Sequence, residues 1–179
     1  MMEIHIQRIQ DVDTNEYKSM EELLTGAFPE EEYRDLSEMR DLTKNRHKFH
    51  NNLIYDGDTF IGLITYWDFG KFCYVEHFAT LPEMRNRGYG KAIMEKFKRQ
   101  FHLPIVLEVE PPTEDMPRRR IGFYERQGFR LWKREYMQPP YRPGGDSLPL
   151  LLMAYGDLDE QKDFAYIEKT IHKEVYGYE

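Results

Sequence analysis

Residues 79–91 read ATLPEMRNRGYGK, in which a predicted strand runs into a short basic loop and a predicted helix follows. A helix N-terminus presents unpaired backbone N–H groups and a partial positive charge, which together bind phosphate groups. Gly88 and Gly90 would let the backbone approach an anion closely. Further charged donors are supplied by Arg85, Arg87 and Lys91. The segment therefore indicates a phosphate site, although an ordinary tight strand-to-helix turn also fits it.

Two common phosphate-binding motifs are excluded at this segment. A Walker A loop needs a glycine five positions before Gly90 and a Ser or Thr after Lys91, where this chain has Arg85 and Ala92. A dinucleotide-binding fingerprint needs a third glycine at the position of Ile93. A nucleotide-binding regulatory domain is therefore disfavoured.

A second motif lies downstream, where residues 120–129 read RIGFYERQGF. Together the two segments resemble the GNAT superfamily of N-acetyltransferases, which use acetyl-CoA. The phosphate motif of that family has Arg or Gln, two residues, Gly, one residue, and then Gly or Ala, as at Arg85, Gly88 and Gly90. Its later signature is an aromatic residue and Tyr, followed after three residues by Gly-Phe. This chain matches the signature at Phe123-Tyr124 and Gly128-Phe129.

The resemblance covers roughly residues 3–156 and is strongest over residues 72–130. It implies an α/β GNAT fold with a splayed, mixed and mostly antiparallel sheet of about seven strands flanked by helices. The hydrophobic pattern agrees, because it predicts strand, helices, three strands, helix, strand, helix, two strands and helix. We expect residues 1–156 to form the acetyltransferase domain and residues 157–179 to form a C-terminal amphipathic helix.

Three parts of the pattern carry specific expectations. A charge-rich helix is predicted over about residues 30–48, and a single strand over residues 129–137. From residue 158 onward, spacings of three and four place four apolar residues on one helix face, namely Phe164, Ile167, Ile171 and Val175. Because an exposed apolar stripe favours association, this face should pack on the domain or on a second subunit, which would make a homodimer.

For the cofactor, the resemblance implies that acetyl-CoA lies between the strand of residues 72–80 and the strand of residues 105–109. The pyrophosphate would lie on the backbone amides of residues 85–91. The pantetheine arm would pair with the backbone of residues 78–80, at the end of the strand of residues 72–80. The implied cofactor-binding residues are Phe78, Ala79, Thr80, Arg85, Asn86, Arg87, Gly88, Tyr89, Gly90 and Lys91. Many family members carry an Asn in the loop that follows the strand of residues 105–109. In this chain that loop, residues 110–117, reads EPPTEDMP and contains no Asn.

Acyl transfer to an amine needs a proton donor for the leaving thiolate and an acceptor for the amine proton. Tyr124 matches the usual general acid of the family, since a phenol with a pKa near 10 suits a thiol leaving group of about 8.5. The alternative for Tyr124 is a core tyrosine beside Phe123. Glu76 is the candidate base, because period-two alternation places it on the same strand face as Phe78. Backbone N–H groups of residues 78–80 would stabilise the oxyanion.

Two further carboxylates, Glu108 and Glu110, share a face of the next strand and would attract a cationic amine. Three interpretations stay open for each of these carboxylates, Glu76, Glu108 and Glu110. Each is a base, a group that binds the cationic substrate, or simply a solvated side chain. A further alternative is that a water relay, rather than a side chain, accepts the proton of the amine. Residues 136–141, YMQPPY, would form an aromatic wall for the acceptor or a packed loop.

Composition restricts the partners and the location. The net charge of −7 disfavours nucleic acid, and the single cysteine, Cys73, allows no intramolecular disulfide, which fits a reducing compartment. The longest apolar run, residues 148–155, is far below the roughly 20 residues that span a bilayer, and the N-terminus shows no signal-peptide pattern. His47 and His50 lack further metal ligands nearby in sequence, so no metal is expected. We therefore expect a cytoplasmic protein without nucleic-acid or membrane partners.

The function predicted from these observations is that of an acetyl-CoA-dependent N-acetyltransferase. It would move an acetyl group to an amine of a small molecule or peptide by direct attack, with Tyr124 as the general acid. The alternative is a non-catalytic acyl-CoA-binding sensor or scaffold, which keeps the basic loop and needs no general acid.

Overall fold

A computed structural model describes residues 1–179 and shows an α/β fold with a mixed sheet flanked by helices. The strands are β1 (Ile4–Ile9), β2 (Phe49–Asp56), β3 (Thr59–Asp68), β4 (Cys73–Thr80), β5 (Ile105–Val109), β6 (Arg130–Leu131), β7 (Tyr136–Gln138) and β8 (Leu148–Tyr155). The helices are α1 (Asn15–Ala27), α2 (Leu36–Asn45), α3 (Tyr89–Gln100), α4 (Asp115–Arg126) and α5 (Glu160–Thr170). The strands follow the order β1-β2-β3-β4-β5-β8-β6, and β7 pairs with β8. The predicted fold class is confirmed.

The chain divides into two compact units. The first comprises Met1–Asp68 and Val75–His102, and the second comprises Phe69–Tyr74 and Leu103–Glu179. In the first unit β2 pairs antiparallel with both β1 and β3. The β2–β3 connection turns at Gly57, whose φ of 58° is a conformation that glycine adopts at little cost. The Asp56-Gly57 pair predicts a hairpin turn at this point, because Asp-Gly is a favoured hairpin dipeptide whose residues tolerate positive φ, and the structure contains that turn.

The helix predicted over residues 30–48 is shorter in the structure. Glu30–Glu32 forms a single 3-10 turn, and α2 begins only at Leu36. Between them Tyr33 is extended, with φ −142° and ψ 158°. The reason is tertiary, because Arg34 turns its side chain into the core, where it is 1% exposed. The extended conformation at Tyr33 therefore separates the 3-10 turn from α2, and the segment does not form one continuous helix.

The second unit is organised around β8, which pairs antiparallel with β5, β6 and β7. The single strand predicted over residues 129–137 is therefore two short strands. They are interrupted because the backbone N–H groups of Lys133 and Arg134 donate to Oε2 of Glu160, at 2.7 and 2.8 Å, instead of to a neighbouring strand. The carboxylate at the start of α5 thus ends the ladder.

The C-terminal segment consists of α5 and a π-helical turn at Ile171–Val175. Asp159 caps α5, since its side chain accepts a hydrogen bond from the backbone N–H of Lys162 at 3.0 Å. All four residues of the apolar stripe are buried within the chain, namely Phe164, Ile167, Ile171 and Val175. None of the helices combines the length and apolar character that crossing a membrane requires.

Candidate active site

The basic loop leads directly into the N-terminus of α3. Gly88 is the N-cap residue, with a left-handed φ of 83°, and it offers no side chain to cap the helix. Asn86 also has a positive φ, of 62°, which Asn tolerates better than most residues. The first-turn N–H groups of α3 therefore keep their capacity to bind an anion. The exposed residues of the loop are Arg85, Asn86, Arg87, Gly88 and Lys91.

A side-chain anchor holds this helix start in place. The hydroxyl of Tyr89 donates to Oδ2 of Asp56 at 2.6 Å, and the backbone N–H of Glu3 donates to Oδ1 of Asp56 at 2.8 Å. The two hydrogen bonds, first that from Glu3, lower the pKa of Asp56. Tyr89 therefore connects the start of α3 to the β2–β3 turn through its hydroxyl.

The end of β4 carries the residues that the resemblance assigns to the pantetheine arm. Phe78, Ala79 and Thr80 are all half-buried. A Cβ atom added at Gly62 on β3 would lie 2.5 Å from the carbonyl oxygen of Ala79. Only glycine leaves room for this approach of the two backbones, so Gly62 helps to set the position of the β4 end.

Glu76 lies on β4 and has a cationic partner. Nη2 of Arg34 is 2.8 Å from Oε2 of Glu76, and neither side chain has more than 1% of its surface exposed. Nη1 of Arg34 and Nε1 of Trp67 both donate to Oε1 of Glu76, at 3.2 and 2.8 Å. Buried charges of opposite sign offset the desolvation of each other only when they are paired in this way. Arg34 was missed in the sequence because it lies in a charge-rich stretch that is typical of a solvated helix.

Glu108 lies on β5 and receives four hydrogen bonds in the second unit. Oε1 accepts from the hydroxyls of Tyr74 and Tyr176 at 2.6 and 2.7 Å, and from Nε2 of Gln138 at 2.9 Å. Oε2 accepts from the hydroxyl of Tyr136 at 2.5 Å. Burial raises the pKa of Glu108, and the four hydrogen bonds oppose that rise. Its strand neighbour Glu110 is exposed.

Of these donors, Tyr136 and Gln138 fall within the segment that the sequence assigns to an aromatic wall or a packed loop. Tyr176 was not identified from the sequence. It lies directly after the apolar stripe of the C-terminal helix, and no local pattern indicates that its hydroxyl reaches β5.

Tyr124 lies on α4 with its ring packed among aromatic side chains. The rings of Phe123 and Phe129 meet it edge to face, with centroids 5.1 and 5.3 Å away. Burial raises the pKa of Tyr124 to about 12, and the nearby charge of Arg120 acts in the opposite direction. The phenol therefore keeps its proton at neutral pH, which a general acid requires.

The structure places the predicted site residues in two groups. Glu76 and the ten cofactor-binding candidates all belong to the first unit, whereas Tyr124, Glu108 and Glu110 belong to the second. No group of three or more His, Cys, Asp or Glu side chains could hold a metal ion.

Comparison with known proteins identifies the family. The model of the acetyltransferase (GNAT) family matches residues 15–129, which is more than half of the chain. A Bacteroides thetaiotaomicron protein described as a GNAT-family acetyltransferase is 52% identical, with a TM-score of 0.96 and coverage of 98% of this chain and 99% of the other. The chain therefore belongs to the GNAT family of acetyltransferases.

More distant structures share the fold. An aminoglycoside 6'-N-acetyltransferase complexed with coenzyme A is 16% identical, with a TM-score of 0.62 and coverage of 87% of this chain and 98% of the other. An acyl-CoA N-acyltransferase from Pseudomonas aeruginosa is 15% identical, with a TM-score of 0.58 and coverage of 87% and 100%. A search among curated proteins found no match.

Proposed function

We propose that this protein is an N-acetyltransferase that moves an acetyl group from acetyl-CoA to an amine of a small molecule or peptide. The observation that carries the proposal is the start of α3, where Gly88 leaves the first-turn N–H groups uncapped beside three exposed cations. Such a cradle fits a pyrophosphate. Family membership supports the reaction class, and the single free thiol, Cys73, fits a cytoplasmic location.

In this proposal the residues of the first unit bind and orient the donor. The backbone amides of residues 85–91 hold the pyrophosphate, with Arg85, Arg87 and Lys91 adding charge. The backbone of residues 78–80 positions the pantetheine arm and directs N–H groups at the carbonyl oxygen. Acetyl-CoA supplies a thioester whose carbonyl carbon accepts a neutral amine and whose sulfur leaves as a thiolate.

Two side chains handle the protons in the proposed mechanism. Tyr124 donates its phenolic proton to the departing sulfur, which its protonated state at neutral pH allows. Glu76 accepts the proton of the amine, directly or through water, and its ion pair with Arg34 holds the carboxylate in position. Glu108 and Glu110 attract the cationic acceptor toward the site.

A thiol-release screen tests this function. Purified protein is mixed with acetyl-CoA and with polyamines, aminoglycosides, amino acids or peptides with free N-termini, and the released thiol is measured. Turnover with at least one amine is expected, and Glu76→Gln should lower kcat with that amine. Measurable CoA binding without turnover of any amine would overturn the proposed acetyltransferase activity and favour the non-catalytic acyl-CoA-binding sensor.

A further inference from the structure

The loop that joins β4 to α3, residues 81–88, contains two residues in the left-handed region. Asn86 has a φ of 62° and Gly88 has a φ of 83°. Glycine adopts this conformation freely, whereas a residue with a side chain adopts it at a cost and keeps it only where the surrounding structure fixes it. The shape of the phosphate-binding loop therefore depends on the contacts at its two ends.

The β2–β3 hairpin holds both ends of this loop. At the start, the backbone N–H of Leu81 donates to the carbonyl oxygen of Ile61 on β3 at 2.8 Å. At the end, Tyr89 is the first residue of α3, and its hydroxyl donates to Oδ2 of Asp56, the last residue of β2, at 2.6 Å. One hairpin thus fixes where the loop leaves β4 and where it enters the helix.

Asp56 is itself held in one orientation. Its Oδ1 accepts a hydrogen bond from the backbone N–H of Glu3 at 2.8 Å, and the N–H of Gly57 donates to the carbonyl oxygen of Glu3 at 2.8 Å. One carboxylate oxygen is engaged by Glu3 and the other by Tyr89, so rotation of the Asp56 side chain would break these hydrogen bonds. The carboxylate is therefore a fixed acceptor for the Tyr89 hydroxyl.

The charge of Asp56 strengthens this hydrogen bond but opposes an anion nearby. The hydrogen bond from Glu3, followed by that from Tyr89, lowers the pKa of Asp56, and the hydrogen bond to Asp56 raises the pKa of Tyr89. At neutral pH an ionised carboxylate thus meets a protonated phenol, which is a charge-assisted hydrogen bond. The negative charge of Asp56 would by itself repel a pyrophosphate at the start of α3. Asp56 can therefore assist cofactor binding only through the position that it gives to Tyr89.

We infer that Asp56 and Tyr89 are positioning residues for the pyrophosphate of the acetyl donor. The inference rests on the proposed function for the identity of that donor. Their hydrogen bond fixes the backbone of the loop and of the first turn of α3, so that the N–H groups are oriented before the pyrophosphate arrives. Such preorganisation raises affinity, because the entropy cost of ordering the loop is met on folding and not on binding. Asp56 lies outside the motif of Arg85, Gly88 and Gly90, and the motif alone does not reveal its role.

Titrations of the full chain with CoA and with pantetheine test this role, by calorimetry and by nuclear magnetic resonance respectively. Pantetheine lacks the pyrophosphate, so its binding does not depend on the loop. Tyr89→Phe and Asp56→Ala should each raise the Kd for CoA by roughly fivefold or more and leave the Kd for pantetheine unchanged. The double variant should bind CoA no more weakly than the poorer single variant, because both changes break the same hydrogen bond. Asp56→Asn keeps one acceptor oxygen and should fall between the wild type and Asp56→Ala.

Two matched variants control for the loss of a charge and for the loss of a phenol. Asp58→Ala removes an exposed carboxylate from the same turn, and Tyr55→Phe removes the hydroxyl of the residue that precedes Asp56 on β2. Neither change should alter the Kd for CoA. Melting temperatures of all variants establish that the titrated proteins are folded.

The outcomes separate the inference from the proposed function. Unchanged CoA affinity in a folded Tyr89→Phe variant, or tighter CoA binding by Asp56→Ala, overturns the positioning role and leaves the proposed function in place. Equal losses for CoA and pantetheine would assign the two residues to the fold and would also overturn the positioning role. A wild-type protein that binds no CoA would overturn the proposed function itself. CoA binding that weakens in the variants, without turnover of any amine, supports the positioning role and overturns the acetyltransferase activity.

Discussion

Arg34 and Glu76 are 42 positions apart in sequence, and they form a buried ion pair in which Nη2 of Arg34 lies 2.8 Å from Oε2 of Glu76. Trp67 adds a third hydrogen bond to the same carboxylate, from Nε1 at 2.8 Å. This arrangement holds the α1–α2 connection against β4 within the first unit. The guanidinium of Arg34 compensates the buried charge of Glu76. Glu108, by contrast, accepts hydrogen bonds only from uncharged groups.

Replacing Arg34 should strongly destabilise the fold. Arg34→Met leaves the Glu76 carboxylate buried without a cation, and breaking such a pair costs about 3–5 kcal/mol. Urea unfolding at neutral pH measures the loss in the free energy of unfolding. The control is Arg40→Met, since Arg40 forms an exposed ion pair with Asp13 at 3.2 Å and exposed pairs contribute about 1 kcal/mol or less. Equal losses in the two variants would contradict the structural role of the buried pair.

An acidic residue at the start of α3 should impair binding of CoA. Gly90→Asp places a carboxylate where the pyrophosphate would lie, and we expect the Kd for CoA to rise at least tenfold, about 1.4 kcal/mol. The helix itself should tolerate the change, because Asp in the first turn interacts favourably with the helix dipole. Gly26→Asp, at an exposed glycine of α1, adds the same charge elsewhere and should leave the Kd unchanged. Calorimetry that shows equal affinity in Gly90→Asp would refute the phosphate site.

Removing the Tyr124 hydroxyl should slow catalysis without weakening CoA binding. Tyr124→Phe is expected to lower kcat by about 100-fold, the low end of general acid catalysis. Because the pKa of Tyr124 is raised to about 12, the wild-type kcat should show no decline from loss of this proton up to about pH 10. Tyr166→Phe is the control, since its ring is 47% exposed. Wild-type kcat in Tyr124→Phe would restrict Tyr124 to packing.

His50 should make the fold sensitive to acid. Burial, followed by the charge of Arg8, lowers the pKa of His50 to about 4, while its ring stacks on Tyr66 at 4.6 Å. The unfolded chain binds this proton near pH 6.5 and the folded chain only near pH 4. The contribution of neutral His50 to the free energy of unfolding is therefore fully present above pH 6.5, and it is lost as the pH falls toward 4. His50→Phe keeps a stacked ring without a titrating group.

Denaturant unfolding at pH 7, 6, 5 and 4 measures this effect. The free energy of unfolding should fall more steeply with acidification in the wild type than in His50→Phe. Parallel pH profiles for the two proteins would show that His50 titrates alike in the folded and unfolded states.

The apolar stripe of the C-terminal segment should contribute to stability within a single chain. Phe164 is 3% exposed, and its ring packs near those of Trp132 and Tyr136. Phe164→Ala should cost about 3–5 kcal/mol, the usual range for a buried aromatic residue. Tyr166→Ala, on an exposed part of the same helix, should cost much less. Similar melting temperatures for the wild type and Phe164→Ala would show that the stripe is not part of the core.

Much of the fold follows from short-range signals in the sequence. The glycines and basic residues of residues 85–91 predicted the start of α3, and the Asp56-Gly57 pair predicted the β2–β3 turn. The limits of β5 and β8 agree with the apolar runs that predicted them. By contrast, one strand was predicted where β6 and β7 stand, because alternation alone does not reveal that Glu160 binds the backbone between them.

The sequence by itself determined the family, the basic loop before α3 and the order of the elements apart from the division into β6 and β7, because turn, cap and periodicity preferences act over a few neighbouring residues. Only the tertiary structure decided which groups donate hydrogen bonds to the carboxylates of Glu76 and Glu108. Arg34 reaches Glu76 across 42 positions, and Tyr176 reaches Glu108 across 68. Hydrogen bonds and ion pairs depend on distances in space, and the packing of the whole chain sets those distances.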